Sequence, residues 1–86
     1  MANLYLLDKP NGPSGLALAA ADSDSAVVLI QDGVYLDPSS AKGKVYAVKR
    51  DVEQRGVASR LPASVRVIDY GELVDLIMAN KVINLI

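Results

Sequence analysis

Ala26-Val27-Val28-Leu29-Ile30, followed at once by Gln31-Asp32-Gly33, decides the fold. Five consecutive apolar residues without a charge, rich in β-branched side chains, read as a strand. The lack of polar alternation means that both of its faces are covered, as in the middle of a parallel sheet. Upstream, Asn3 to Leu7 is a first strand, closed by the turn formers Asp8-Lys9-Pro10-Asn11-Gly12-Pro13. Ser14 is placed to cap a short Ala- and Leu-rich helix, Gly15 to Ala21, and Asp22-Ser23-Asp24-Ser25 is its exit loop. Downstream, Lys44 to Lys49 and Val65 to Ile68 are strands three and four, and Val82 to Ile86 is a short last strand.

Two more helices fall between them. Asp51 to Val57 has Asp51 in capping position and Gly56 near its end. Asp69 to Asn80 starts with Asp69 and Glu72 at capping-box spacing, carries Leu73, Val74, Leu76 and Ile77 as an apolar stripe, and stops at Asn80. Strands alternating with helices over short connections describe an α/β fold. The expectation is a single small domain over residues 1–86, an open, mostly parallel β-sheet of about five strands with helices on both faces.

Composition narrows the chemistry. The chain has 86 residues, no cysteine and no histidine. Disulfides, thiolate metal sites, thiol nucleophiles and persulfide carriage are excluded, as is the commonest general base. Nine Lys and Arg against ten Asp and Glu give a net charge of −1, which argues against a dedicated nucleic-acid binder. Hydrophobic residues make up 51% of a domain too small to bury them all, so the chain is expected to hide apolar surface in an assembly. The N-terminus has no basic segment and is broken by Asp8, Lys9 and Pro10, unlike a signal peptide. No apolar run is long enough to span a membrane, and a cytoplasmic location is expected.

The loops after the strands are where such a sheet holds ligands or partners. Asp32, Gly33, Val34 and Tyr35 leave the central strand and are candidates for partner contact, with Tyr35 as anchor. The simpler alternative is turn chemistry, with Asp32 as a cap and Tyr35 in local packing. Lys49, Arg50 and Arg55 form the densest cationic cluster and are candidates for anion binding. Their simpler reading is a solvated helix face with Arg55 pairing back to Asp51. Asp69, Tyr70 and Glu72 could do acid–base work, although the two carboxylates already suit a cap. Ser39 or Ser40 with Lys42 is the weakest nucleophile candidate. No phosphate loop, metal-ligand spacing or cofactor motif is present, so no cofactor is expected.

Four segments in order resemble the DsrH/TusB family of sulfur-relay proteins. They are Leu4-Tyr5-Leu6-Leu7-Asp8-Lys9-Pro10, Val28-Leu29-Ile30-Gln31-Asp32-Gly33-Val34-Tyr35, Val45-Tyr46-Ala47-Val48-Lys49-Arg50-Asp51 with Arg55-Gly56, and Val67-Ile68-Asp69-Tyr70-Gly71-Glu72-Leu73-Val74-Asp75-Leu76-Ile77. The resemblance implies the Rossmann-like fold of the DsrE/DsrF/DsrH group. It also implies assembly with DsrE- and DsrF-like chains (TusD- and TusC-like in the tRNA pathway). Such complexes pass persulfide sulfur toward 2-thiouridine at the tRNA wobble position, or serve sulfur oxidation. Many members of the family carry a cysteine in the first helix, where this chain has Leu16 to Ala21, and the C-terminal tryptophan associated with the family is replaced by Asn84-Leu85-Ile86. The expectation is therefore a non-catalytic, cysteine-free subunit of a complex resembling TusBCD or DsrEFH, without direct nucleic-acid or membrane contact. A stand-alone small-anion or nucleotide-binding domain, or a regulatory homo-oligomer, is the alternative.

Overall fold

The computed structural model describes residues 2–86. Five strands, β1 (Asn3–Leu7), β2 (Ser25–Leu29), β3 (Lys44–Val48), β4 (Val65–Ile68) and β5 (Lys81–Leu85), form one sheet in the order β4-β3-β2-β1-β5. Every adjacent pair is parallel. β2 lies in the middle and is buried at all five positions, as its unbroken apolar run requires.

Parallel pairing forces each connection to cross a face of the sheet, and the alternation of strand side chains shows which. Tyr5, Leu7, Val27, Leu29, Val45, Ala47 and Val65 pack with Leu16 and Ala19 of α1 (Gly12–Ala20), Val34, and Val52 of α2 (Lys49–Arg55). Leu4, Leu6, Ala26, Val28, Tyr46, Val48 and Ile68 point the other way, onto Leu73 and Leu76 of α3 (Tyr70–Ala79). One face thus carries α1, α2 and a 3-10 turn at Gln31–Tyr35; the opposite face carries α3 alone. The sheet, its strand number and the placement of helices on both faces agree with the sequence reading.

Several boundaries differ. α1 begins at Gly12, with Asn11 before it, so Ser14 lies inside the helix and caps nothing. Pro13 tolerates this because a first-turn residue has no intrahelical N–H bond to lose. α2 begins at Lys49, so Asp51 is its third residue and Val48 the flanking one, without a side-chain cap. Lys49 accordingly leaves β3, which ends at Val48. Two other strands shift by one residue, β2 to Ser25–Leu29 and β5 to Lys81–Leu85. Two terminators act as expected. Gly56 ends α2 in the left-handed region at φ 61°, where a side chain is strained. Asn80 ends α3 and turns its Nδ2 back onto the Leu76 carbonyl at 2.9 Å. The apolar C-terminus is held within the chain: β5 adds to the free edge of β1, with Tyr5 opposite Ile83 and Leu7 opposite Leu85.

At the amino ends of the strands, the Asp22 carboxylate ties the exit of α1 to β1. It accepts from Asn3 Nδ2 at 2.7 Å, Tyr5 Oη at 3.0 Å and the Asp24 N–H at 2.9 Å. The Asn3 bond first, then the Asp24 N–H, hold Asp22 below the ordinary carboxylate value, while burial and the Asp22 bond raise the Tyr5 phenol. A carboxylate whose folded pKa is lowered adds stability that is present above its unfolded pKa and fades as pH falls through the folded one. Asp22→Asn should therefore flatten the acid limb of the stability–pH curve, read as urea midpoints from neutral pH downward. An unchanged acid limb would show that Asp22 is not coupled to folding.

Candidate functional site

At the carboxyl end of β2 the chain enters the Gln31–Tyr35 turn through a conformation that L-residues rarely adopt. Gln31 has φ 50°, and no other non-glycine among the described residues has a positive φ. The geometry is held by a buried acceptor. Asp51, 7% exposed, takes the Gln31 N–H on Oδ2 at 2.9 Å. Arg55 donates its Nε to Asp32 Oδ1 at 2.9 Å and lies 3.5 Å from Asp51 Oδ1 through Nη1. The Asp32 bond is the main reason its guanidinium is held above the ordinary arginine value.

The structure thus joins two segments that the sequence leaves separate. The turn after β2 and the first helix after β3 form one unit, clamped by Asp51 and Arg55. The turn's own bonds are short-range: Gly33 N–H to Ile30 O at 2.8 Å and Leu36 N–H to Gly33 O at 3.0 Å. Gly33 lies against the Leu7 carbonyl at the end of β1, with no room for a Cβ. Val34 is 2% exposed and plugs the α1–α2 side of the core.

Of the four residues expected at a partner contact, Gly33 and Val34 are therefore buried, and Asp32 and Tyr35 reach the surface. Asp32 caps no helix: the turn has no side-chain cap, and its carboxylate goes to Arg55 instead. Tyr35 is 47% exposed, with Lys9 Nζ 5.7 Å from its ring centroid, a cation–π approach. Beside it a cleft of about 270 Å³ opens between the turn and the segment after α2, lined by Tyr35, Leu36, Pro38, Val57, Arg60 and Leu61.

The cationic cluster divides. Arg55 is engaged by two carboxylates, whereas Lys49 and Arg50 are exposed and make no ion pair among the described residues. Both stand where β3 and β4 send their chains to opposite faces of the sheet, the crevice at which open α/β sheets bind ligands. The paired carboxylates across that crevice are occupied. Asp69 Oδ1 caps α3 by accepting from the Glu72 N–H at 2.8 Å, and Glu72 Oε2 takes Arg66 Nη2 at 2.9 Å. No hydrogen bond joins Lys42 to Ser39 or Ser40 among the described residues, and no group of three acidic, histidine or cysteine side chains there could hold a metal. No helix of the described residues is long and apolar enough to cross a membrane.

Sequence reasoning missed the clamp on Gln31, the Asn3–Tyr5–Asp22 knot and the outer face of α3. Only the last had a signal. Val74, Ile77 and Met78 extend the apolar surface of that helix well beyond the stripe needed to face a sheet.

The comparisons agree with this geometry. The solution structure of the protein Tm0979 from Thermotoga maritima superposes with a TM-score of 0.65 at 30% identity, over 90% of this chain and 92% of that one. Among curated proteins none matches. The family model described as "DsrH like protein" matches residues 14–83, a span containing every strand but β1 and the end of β5. On that match, the clamped turn after β2 and the exposed cations after β3 are set on a DsrH-type frame, and the chain belongs to the DsrH-like family.

Proposed function

We propose that this chain is a non-catalytic subunit of a cytoplasmic sulfur-relay assembly resembling TusBCD or DsrEFH, recognising partners and scaffolding them rather than carrying sulfur. The observation that supports this most is the family match in a chain with no cysteine. A relay step needs a thiolate to attack and hold sulfane sulfur, and no side chain here forms one. What the chain can contribute is surface. Its partners on this reading are DsrE- and DsrF-like chains bearing the cysteines, and tRNA wobble-uridine 2-thiolation or sulfur oxidation is the pathway served.

On this reading, the contact uses the rim of the Gln31–Tyr35 turn. The turn is held rigidly by Asp51 and by the close approach of Gly33 to β1, so presenting Tyr35 costs little further ordering. A half-exposed tyrosine beside a cleft is the type of side chain that anchors interfaces. Co-elution with a cysteine-bearing DsrE/DsrF-like pair on a sizing column tests the reading. Tyr35→Ala should weaken that complex about tenfold, or about 1.4 kcal/mol, without lowering the melting temperature of the isolated chain. A variant that assembles normally but melts much lower would make Tyr35 a packing residue.

A second reading, a small-anion or nucleotide site, is favoured only by Lys49 and Arg50, exposed at the β3–β4 crevice and without an ion pair among the described residues. It requires phosphate or a nucleotide to raise the melting temperature of the wild-type chain, and that rise to vanish in a Lys49→Ala, Arg50→Ala double variant.

A further inference from the structure

The cleft beside Tyr35 has an apolar floor and a charged rim. Val34 and Val57, each 2% exposed, supply its deepest surface, and half-buried Leu36 and Leu61 extend it. Its two walls belong to the two segments that Asp51 and Arg55 tie together. The end of the Gln31–Tyr35 turn forms one, and the stretch after α2 forms the other. That tie sets the width of the cleft before any ligand arrives, which removes part of the ordering cost of binding. At about 270 Å³ the cleft lies just under the roughly 300–1,000 Å³ of pockets for drug-sized ligands, so its scale is that of a small metabolite.

One charge of each sign stands on the rim, each on its own wall. Asp37 holds the Ser39 N–H on Oδ1 at 3.0 Å, and Arg60 gives its own backbone N–H to the Val57 carbonyl at 2.9 Å. Both backbones are thus fixed, and both residues are exposed. Neither makes an ion pair among the described residues, not even with the other. A simple anion drawn to Arg60 meets Asp37, and a simple amine drawn to Asp37 meets Arg60. A molecule that carries both charges satisfies both walls with charge-assisted hydrogen bonds. Its body must then be apolar, to cover the floor that the two valines and two leucines leave open.

We propose that this cleft binds a free α-amino acid with a large apolar side chain. The carboxylate lies on Arg60, the ammonium on Asp37, and the side chain on the floor made by Val34 and Val57. The proposal goes beyond the subunit reading and does not depend on it.

Titration of the isotopically labelled isolated chain with L-leucine, followed by amide chemical shifts, tests it. Because both charges are exposed and screened, a dissociation constant of about 1 mM is expected. The shifts should saturate and centre on residues 34–38 and 57–62. Isocaproate, which lacks the ammonium, and isoamylamine, which lacks the carboxylate, should each bind about fivefold more weakly, as should glycine, which lacks the apolar body. Arg60→Gln should weaken leucine about fivefold without weakening isoamylamine, and Asp37→Asn should do so without weakening isocaproate. Melting temperatures of both variants should stay near wild type, because both positions are exposed. No saturable shift up to about 20 mM leucine overturns the proposal, as does isocaproate or isoamylamine binding as tightly as leucine. Leucine binding unchanged in both variants overturns it equally. The titration uses the chain alone, so failure to assemble with a DsrE/DsrF-like pair bears on the subunit reading and not on this one.

Discussion

Replacing Gly33 with alanine should destabilise the protein by about 3 kcal/mol, at the upper end of what overpacking costs. The added Cβ would collide with the Leu7 carbonyl oxygen and lie 3.0 Å from the Leu7 carbonyl carbon and 3.2 Å from Asp8 Cα. All three atoms are backbone, and that oxygen already accepts the Ile30 N–H at 3.1 Å. Neither chain segment can therefore yield by a side-chain rotation. For so small a domain such a loss takes a large part of a total margin of roughly 5–10 kcal/mol. Gly71 provides the control. A Cβ there meets nothing closer than Asp69 Oδ1 at 3.4 Å, and the position lies within α3, so Gly71→Ala should stabilise by up to about 1 kcal/mol. Urea midpoints of the two variants should move in opposite directions. Equal and small shifts would mean that the turn is not pressed against β1.

Asp51→Ala should cost roughly 2–3 kcal/mol, because it removes a charged acceptor from a buried position. The Gln31 N–H would lose its partner, and Gln31 would be left in the left-handed region without the bond that holds it there. Arg55 would keep Asp32, so the loss should fall mainly on the turn. Amide exchange at Gln31 to Tyr35 should speed up more than in the strands, and partner binding through Tyr35 should weaken together with stability. Uniform exchange across the domain would show that Asp51 supports the core as a whole.

What the sequence could show follows from the range of the forces involved. β2 was legible because an uninterrupted apolar run has one stable setting, between two parallel neighbours. Asp69 and Gly56 were legible because a cap and a left-handed terminus are local chemistry. Asp51 was not. An aspartate in the first turn of a helix looks like a cap, yet its carboxylate is claimed by an N–H twenty residues earlier in the chain. The Arg55–Asp51 approach was anticipated from i,i+4 spacing, whereas the shorter Arg55–Asp32 bond spans 23 residues and leaves no periodic trace. α1 was placed late because Pro13 reads equally as a turn residue and as a helix start. The contact surface was expected at four consecutive residues, of which the fold leaves only Asp32 and Tyr35 at the surface, because Gly33 is pressed against β1 and Val34 fills the core.

Native mass spectrometry of this chain mixed with a persulfide-loaded, cysteine-bearing DsrE/DsrF-like pair tests the central claim most directly. The account predicts a complex that contains this chain and, on dissociation, sulfur adducts confined to the partner chains. A chain that stays outside every complex, or one that itself leaves with the mass of an added sulfur atom, would contradict it.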